Sequence, residues 1–487
     1  MSHGSTTVGS REDILARTHR VPALHDFPPV DELLAWFDAL VDAHPDLVRR
    51  RRVGTSRLGE PISLYSIGDG PRSHLLFAGV HPNEPIGFRT LQHLAYELCT
   101  DPELLAGFDA TWHLVPCIDP DGTRLNEGWF ADPTDRSTYA RRFYRPAPDE
   151  QVEWSFPFAY KDAYFDRVIP ETAALMRMID ELRPHLMVSL HNAELGGVYY
   201  YLSEDVPGVV EALHTIPADL GLPLDTGEPE SAALERLAPA VFLSASTQQE
   251  YDYLEALGMP AAAMVGGESS AVYARRHGTV TLVAELPYWS HPAAADTAAT
   301  TTSYRDVVRT KANALAELGA TLQDILDDAA PDLTVRTPFL RASESFVPMM
   351  SAAAQAELVR CELPECDRPA TGSEVFSNAD VVRSFRLRFG GMLLRALAAE
   401  VDAGIATARV RRAHERMSAV YAGWTAEADG VPGLEVLPIA SLVGVQLGAT
   451  LALARALADR DARAAQDASD AHGRGPGPGA ADGGGLR

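Results

Sequence analysis

The sequence has few cysteines, and their spacing does not suggest a scaffold. Four occur in 487 residues, too few to form a disulfide framework in a chain of this length. Cys99 falls in a predicted helix and Cys117 in an apolar strand. Cys361 and Cys366 have no second close pair with which to build a four-cysteine zinc site. We therefore expect Cys361 and Cys366 to be packed thiols rather than metal ligands.

Basic residues are also scarce. The chain carries 42 Lys and Arg against 67 Asp and Glu, a formal net charge of -25. Such a surface repels nucleic acid and anionic lipid, so neither is expected as a partner. In the simplest interpretation, the negative net charge only keeps the protein soluble. Attraction of cationic substrates by the acidic field is the alternative.

Long apolar segments of the kind found in leaders and membrane anchors are missing from the pattern. The stretch from Met1 to about Asp26 is polar and lacks the apolar core of a signal peptide. No apolar run is predicted to reach the length that spans a bilayer. The expected location is therefore the cytoplasm.

What the sequence does contain is an alternation of strand and helix patterns. Buried strands are predicted over residues 74–80, 111–118, 186–190 and 279–286, and helices over segments such as 30–43 and 87–98. Strands interleaved with helices predict an α/β fold with a mixed, mostly parallel sheet and helices on both faces.

The composition changes along the chain and suggests four parts. Alanine and arginine become frequent after about residue 337, with long helical patterns at 381–401 and 439–458. Beyond residue 458 the chain is rich in Ala, Asp, Gly and Pro, which bury too little apolar surface to order a segment. The predicted parts are an N-terminal extension (1–27), a catalytic domain (28–330), a helical C-terminal region (331–458) and a disordered tail (459–487).

The segment most informative about chemistry is Gly-Val-His-Pro-Asn-Glu-Pro at residues 79–85. The spacing His-x-x-Glu is weak evidence alone, because among 15 histidines it occurs twice, at His81–Glu84 and at His191–Glu194. His81, however, lies where a predicted strand ends and a helix begins, the place where open α/β sheets build their sites. An imidazole and a carboxylate at this spacing can face one metal ion, with a coordination position left for water.

Two further residues lie at predicted strand ends. His191 follows the apolar segment 186–190, and a second histidine at the same edge of one sheet favours a shared metal site. Glu285 lies inside the apolar stretch 280–288, where an ionised carboxylate is costly without a partner or a function. A water that attacks a substrate needs a base that is not itself a ligand, and Glu285 is the candidate. A buried ion pair is the structural alternative for this glutamate.

The chain resembles the zinc carboxypeptidase family, typified by pancreatic carboxypeptidase, over about residues 28–320. Four segments match its motifs in order. They are His-Pro-Asn-Glu at 81–84, Pro-Cys-Ile-Asp-Pro-Asp-Gly at 116–122, Ser-Leu-His-Asn at 189–192 and Thr-Leu-Val-Ala-Glu-Leu at 281–286. The segment 53–62 is similar to the family's lead-in.

The resemblance implies a role for each residue. His81, Glu84 and His191 hold one Zn²⁺ per chain, and Glu285 takes a proton from the water that attacks an amide carbonyl. An arginine stabilises the oxyanion in this family. Arg142 and Arg145 are the candidates, with Arg124 behind them. The tyrosine that some members place over the substrate is assigned to Tyr273, although no motif specifies it.

One family motif is altered in this chain. Typical members carry Asp-x-Asn-Arg-x-Phe-Pro, whose Asn-Arg pair binds the substrate's terminal carboxylate, whereas residues 151–157 read Gln-Val-Glu-Trp-Ser-Phe-Pro. Glu153 repels a carboxylate and Trp154 offers no bidentate donor pair. We therefore expect a substrate with a cationic or neutral group there, paired with Glu153 and stacked on Trp154. A shifted alignment of this segment is the alternative, and residues 266–270 are either a substrate loop or a turn.

These observations predict a zinc-dependent amide or peptide hydrolase, a carboxypeptidase-like enzyme with altered end recognition. A second hypothesis is a deacylase that acts on small acylated amines. A catalytically silent binding protein of the same fold is a third, although a buried base at Glu285 argues against it. The helical C-terminal region carries no chemical motif, and we expect it to pack on the catalytic domain or to mediate self-association.

Overall fold

The protein is described by a computed structural model covering residues 7–473. Its helices are α1 (Arg11–Thr18), α2 (Val30–Ala43), α3 (Ile86–Thr100), α4 (Pro102–Phe108), α5 (Pro120–Arg124), α6 (Arg136–Arg142), α7 (Pro170–Leu182), α8 (Val209–Asp219), α9 (Thr247–Ala256), α10 (Ala261–Met264), α11 (Ser270–Ala274), α12 (Tyr304–Ala329), α13 (Pro338–Arg360), α14 (Gly372–Asp402), α15 (Ala408–Asp429) and α16 (Ile439–Gly473). Its strands are β1 (Val48–Thr55), β2 (Pro61–Ile67), β3 (Arg72–Phe77), β4 (Ala110–Val115), β5 (Phe158–Tyr160), β6 (Ala163–Phe165), β7 (Leu186–Leu190), β8 (Tyr199–Leu202), β9 (Arg236–Ala238), β10 (Val241–Leu243), β11 (Val280–Glu285), β12 (Trp289–Ser290), β13 (Ala299–Ser303), β14 (Pro369–Thr371) and β15 (Glu435–Val436).

A nine-stranded mixed sheet forms the centre of the molecule, in the order β1-β2-β4-β3-β7-β11-β8-β10-β9. The four central strands β4, β3, β7 and β11 run parallel to one another. Antiparallel pairings join β2 to β4 and β8 to β11 on either side of them. The predicted α/β fold is therefore confirmed, with the parallel part at the centre.

Both faces of the sheet are covered, as the apolar strands predict. On β3, Leu75 and Phe77 pack into one core cluster and Leu76 into another, because successive side chains of a strand point to opposite faces. Helix α7 lies on the first face. Helices α3, α8 and α16 pack together on the second.

The C-terminal helices differ from the predicted parts in two ways. Helices α12, α13, α14 and α15 pack against one another, so this layer begins at Tyr304 rather than after residue 330. Helix α16 instead joins the sheet, where it contacts α1, α3, α8 and β11. It continues to Gly473, so residues 459–473 of the predicted tail are helical, and the rest of that tail lies outside the described residues.

Helix α16 also differs from the prediction that no segment reaches membrane-spanning length. Ile439–Asp467 is long and apolar enough by length and composition, with a mean hydropathy of 1.5 in its most apolar window. However, 78% of that window is buried inside the protein. A buried core helix meets the same criteria, so the stretch is weak evidence for a membrane span.

Candidate metal centre

The sheet brings three strand ends to one place. Strands β3, β7 and β11 are adjacent and parallel, so their carboxyl ends meet at one edge, where α/β sheets form crevices. After β3 the chain turns at Gly79, whose φ is +68°. A Cβ there would lie 3.2 Å from both the Cys117 sulfur and the Phe88 ring, so only glycine fits without displacement. This turn leads to His81 and then to helix α3.

The structure brings together the three predicted ligands. One ligating atom each from His81, Glu84 and His191 lies within 4.8 Å of the others, and all three residues are buried. The Nδ1 atoms of His81 and His191 each lie 3.2 Å from a Glu84 carboxylate oxygen. The two rings stand at 81° with centroids 4.7 Å apart. Two imidazole nitrogens and a carboxylate thus converge on one point.

Neighbouring groups orient these ligands. Ser189 of β7, two residues before His191, places its hydroxyl 2.8 Å from the His191 Nε2, which leaves the Nδ1 atom facing Glu84. The backbone N–H of Asn192 donates to the Glu84 Oε2 at 3.1 Å. The Arg145 guanidinium pairs with the Glu84 Oε1. The carboxylate is therefore held in one orientation.

The protonation states of the three residues depend on their burial and on the charges of neighbouring groups. Burial and the nearby Arg145 guanidinium lower the pKa of His81 to about 3. Burial would also lower the pKa of His191, but the carboxylates of Glu84, Glu285 and Glu153 raise it to about 9. Burial would raise the pKa of Glu84, yet His81 and Arg145 hold it well below its usual range. The cluster therefore keeps an ionised carboxylate beside a neutral imidazole.

This donor set fits zinc. Zn²⁺ takes histidine nitrogen and carboxylate oxygen, and catalytic sites use three protein ligands with one position open. The His191 Nδ1 is buried without a hydrogen-bond partner of good geometry and lies 3.2 Å from the Glu84 Oε2. An unbonded ring nitrogen pointing at a carboxylate is the arrangement that a metal ion completes.

Glu285 lies beside the three ligands but is not one of them. Its Oε1 is 3.6 Å from the His191 Nδ1, and the residue is 7% exposed. Burial raises its pKa well above the usual range, although His191 acts in the opposite direction. It pairs across the strands with Tyr199 of β8. Among residues 7–473, no lysine or arginine forms an ion pair with this carboxylate.

Of the three candidate arginines, the structure brings only Arg145 to the centre. Arg142 is exposed at the end of α6, and within residues 7–473 its side chain forms no hydrogen bond or ion pair, while its backbone oxygen accepts from Arg395 at 2.8 Å. The Arg124 guanidinium donates to Asp31 at 2.7 Å and to Glu60 at 3.3 Å. Arg142 and Arg124 are therefore corrected as oxyanion candidates, because the three arginines point in different directions.

The altered segment places Glu153 inside and Trp154 outside. Glu153 is buried, accepts hydrogen bonds from the Ser270 N–H at 3.0 Å and hydroxyl at 2.9 Å, and contributes to the field at His191. Trp154 is 41% exposed. Residues 266–270 pack against this segment, with Gly267 against the backbone of Trp154. This loop therefore supports the altered segment.

Tyr273 does not reach the centre, contrary to the prediction. Its hydroxyl donates to Asp180 at 2.8 Å, and its ring lies under Arg276. It precedes β11, whereas Glu285 is at the carboxyl end of that strand. The strand length separates them, so Tyr273 is a packing residue at the opposite edge of the sheet.

Sequence reasoning missed several residues around the centre. The Tyr199 and Tyr201 hydroxyls each donate to Glu230 at 2.9 Å, close to Glu285. Glu194, from the second His-x-x-Glu, is not a ligand, since Arg136 donates to it at 2.9 Å and Arg388 of α14 also pairs with it. The alternation of Tyr199 and Tyr201 could have indicated two hydroxyls on one face of a strand. The contact from α14 to Glu194 had no signal in the local sequence.

The fold and the site together define an α/β protein with a buried two-histidine, one-carboxylate metal centre. The family model described as zinc carboxypeptidase matches residues 33–280, just over half of the chain. The chain belongs to the zinc carboxypeptidase family. That family uses one Zn²⁺, and zinc is the cofactor that the cluster is suited to hold.

Individual relatives are distant. The chain is similar to zinc carboxypeptidase A 1 of Anopheles gambiae, with 26% identity over 189 residues, covering 33% of this chain and 41% of that protein. It therefore spans about two fifths of that relative's length. Among solved structures it is similar to a metallo-carboxypeptidase from Burkholderia cenocepacia (17% identity, TM-score 0.33, 53% of this chain and 60% of that chain) and to carboxypeptidase A from Helicoverpa armigera (14% identity, TM-score 0.34, 57% and 70%).

Proposed function

We propose that this protein is a zinc-dependent hydrolase of amide or peptide bonds. The observation that carries the proposal is Glu285, a buried carboxylate without a lysine or arginine partner in the described chain, 3.6 Å from the ligand His191. A binding protein gains nothing from a buried base, and such a group is costly to keep.

The proposed chemistry divides between metal and protein. When bound, zinc lowers the pKa of water and polarises a carbonyl. Glu285 accepts the proton of the attacking water and returns it to the leaving amine nitrogen, for which its raised pKa suits it. Arg145 adds positive charge beside Glu84, and we assign it the stabilisation of charge that develops on the carbonyl oxygen.

We further propose that the site accepts a cationic or neutral group where typical members bind a terminal carboxylate. Glu153 replaces the asparagine there, and among the described residues its carboxylate accepts hydrogen bonds from Ser270 alone. Glu230 adds a second carboxylate near Glu285, held by two tyrosine hydroxyls. Within residues 7–473 neither Glu153 nor Glu230 forms an ion pair with lysine or arginine. The exposed Trp154 ring is available to stack on a cation.

The decisive experiment compares peptides that differ only in a free or amidated C-terminus, with products followed by mass spectrometry. The zinc-loaded protein is tested beside Glu285→Gln as the blank. Cleavage indifferent to the terminus supports the altered recognition. Release of single residues from free-acid peptides alone would contradict it and would mean that another arginine binds the carboxylate.

The alternatives are a deacylase and a silent binding protein. A deacylase would cleave small acylated amines but neither peptide of the pair. Measurements of zinc content and turnover distinguish the peptidase and the deacylase from a binding protein without catalytic activity. We expect His81→Ala to lose zinc, and Glu285→Gln to retain zinc while turnover falls about 10²–10⁴-fold. Equal turnover in Glu285→Gln and the unmodified protein would contradict the role of the base.

Trp154 allows a direct test of end recognition. Trp154→Arg restores the family's guanidinium at an exposed position, where the larger charged side chain can be accommodated. We expect kcat/KM on free-acid peptides to rise about 10-fold relative to amidated ones, as for a gained charge-assisted contact of about 1.4 kcal/mol. Trp154→Phe is the control, since it keeps an aromatic ring without the charge. An unchanged ratio would count against the proposed position of this residue.

The remaining expectations on partners and location stay predictions. We propose a peptide or small amide as the substrate and a cytoplasmic location, with nucleic acid and membranes disfavoured by the net charge of -25. Self-association through the C-terminal helices also remains a prediction.

A further inference from the structure

Helix α16 carries one polar side chain toward the carboxyl ends of the central strands. Gln446 is 0% exposed and stands among apolar residues of this helix such as Leu442, Val443 and Leu447. A primary amide buried in such surroundings is costly unless its hydrogen bonds are made. Its position lies well beyond residues 33–280, the part that matches the family.

The Gln446 amide is bonded on both sides. Its nitrogen donates to the backbone carbonyl of His191 at 2.9 Å and lies 3.5 Å from that of Ala284. Its oxygen accepts from the Thr90 hydroxyl at 2.6 Å. Two carbonyls can only face the NH₂ group, so the orientation of the amide is determined.

These three contacts reach β7, β11 and α3, which flank the metal centre. His191 is a ligand at the end of β7, Ala284 precedes Glu285 on β11, and Thr90 is in α3, the helix that follows Glu84. A single side chain therefore ties together the segments whose relative position sets the site. Groups that orient metal ligands in this way typically change metal affinity or activity 10–100-fold when removed.

We propose that Gln446 is a positioning residue for the metal centre, so that α16 is a functional part of the site and not only its packing. It acts through the backbone of His191 and Ala284 and does not touch the metal or substrate. The proposal rests on the metal site and is independent of the proposed peptidase activity.

Gln446→Met tests the proposal, because methionine has nearly the length and volume of glutamine but donates no hydrogen bond. The full-length protein is titrated with zinc and, separately, loaded with cobalt(II) for its absorption spectrum. We expect the zinc dissociation constant to rise about 10-fold and the cobalt bands to change in intensity. Thr90→Val should act in the same direction, and the double variant should show less than the sum of the two effects.

Thr450→Val is the matched control. Thr450 is buried one turn further along α16, and its hydroxyl bonds only the Gln446 carbonyl within the helix. It should unfold at lower denaturant concentration than the unmodified protein while zinc affinity stays within about twofold. Unchanged affinity and spectrum in Gln446→Met, or the same change in Thr450→Val, would overturn the proposal. If the peptidase proposal failed instead, turnover would be absent in all variants while the zinc and cobalt results remained interpretable.

Discussion

Asp119 has a buried carboxyl group whose ionisation opposes folding. It is 0% exposed, and its Oδ1 accepts from the Gly122 N–H at 2.9 Å, whereas its Oδ2 has no hydrogen-bond partner. Burial raises its pKa from 3.8 to about 7, although Gly122 and Arg57 act in the opposite direction. The folded protein therefore binds this proton more tightly than the unfolded chain.

The free energy of unfolding should consequently fall as pH rises from about 4 to about 7, by up to about 1.4 kcal/mol per pH unit from this group. Asp119→Asn keeps the acceptor for Gly122 and removes the charge. We expect the variant to have a flatter pH profile and to be more stable than the unmodified protein at pH 8. Urea unfolding at several pH values measures this, and parallel profiles would contradict it.

At the scale of single residues, motifs and strand ends allowed good prediction. His81, His191 and Glu285 were identified because each lies at or just after the end of an apolar strand, and Glu84 because it follows His81 by three residues. The structure brings the four together. Arg142, Arg124 and Tyr273 were not distinguished from their neighbours, since long side chains in loops can point in several directions. Tertiary packing decided two of these positions, because Arg124 pairs with Asp31 and Tyr273 donates a hydrogen bond to Asp180.

At the scale of elements, helix α14 connects the C-terminal layer to the metal-binding loop. Its Arg388 pairs with the buried Glu194, three residues after His191, and Arg136 bonds both Glu194 and Asp380. Removing one partner of a buried charge leaves an uncompensated ion, which is costly. This network therefore depends on α14 being in place.

Arg388→Ala should lower the free energy of unfolding by about 3 kcal/mol, because Glu194 then keeps only one cationic partner. Arg386→Ala, on the same helix, removes an arginine of the same 17% side-chain exposure, but its partner Glu427 is 55% exposed and stays hydrated, so this loss should cost less than about 1 kcal/mol. Urea denaturation of both variants measures the difference. Similar costs for the two substitutions would show that the buried network contributes no more than an exposed pair.

Periodicity predicted the elements themselves well. The predicted helix at 30–43 is α2 and the strand at 186–190 is β7, and the bounds of the other predicted strands and of α3 shifted by up to three residues. The two long C-terminal helices were predicted too short, since α14 begins at Gly372 rather than at 381 and α16 ends at Gly473 rather than at 458. The partners of each helix were not predictable, because an apolar stripe specifies burial without specifying what covers it. Helix α16 shows this, since its apolar pattern suited a separate helical region and even a membrane span by composition.

At the scale of the whole molecule, one face of the central sheet is covered by α16, a helix that lies far from the sheet strands in the sequence. Helix α16 packs between elements from the beginning and the middle of the sequence, α1, α3 and α8. Many of its side chains are part of the same core cluster as the sheet. The sheet face that it covers would otherwise be exposed to water at a cost of about 25 cal/mol per Å².

Truncation tests this closure. A chain ending after Pro438 lacks α16 and should be insoluble or fail to bind zinc, because the apolar face of β7 and β11 loses its cover. A chain ending after Asp467 keeps the buried part of α16 and should match the full-length protein in melting temperature and zinc content. Zinc bound by the Pro438 truncation with unchanged affinity would contradict the role given to this helix.

The sequence by itself determined the fold class, the order of the strands along the chain, the strand-end positions of His81, His191 and Glu285, and the three-residue spacing that puts Glu84 beside His81. These features follow from apolar patterns and spacings that lie within short segments of the sequence. The tertiary structure alone decided that α16 closes the sheet, that Arg145 rather than Arg142 reaches Glu84, and that Gln446 contacts the backbone of His191. These contacts join residues that are 61 to 255 positions apart in the chain, and they depend on tertiary packing, about which local patterns carry no information.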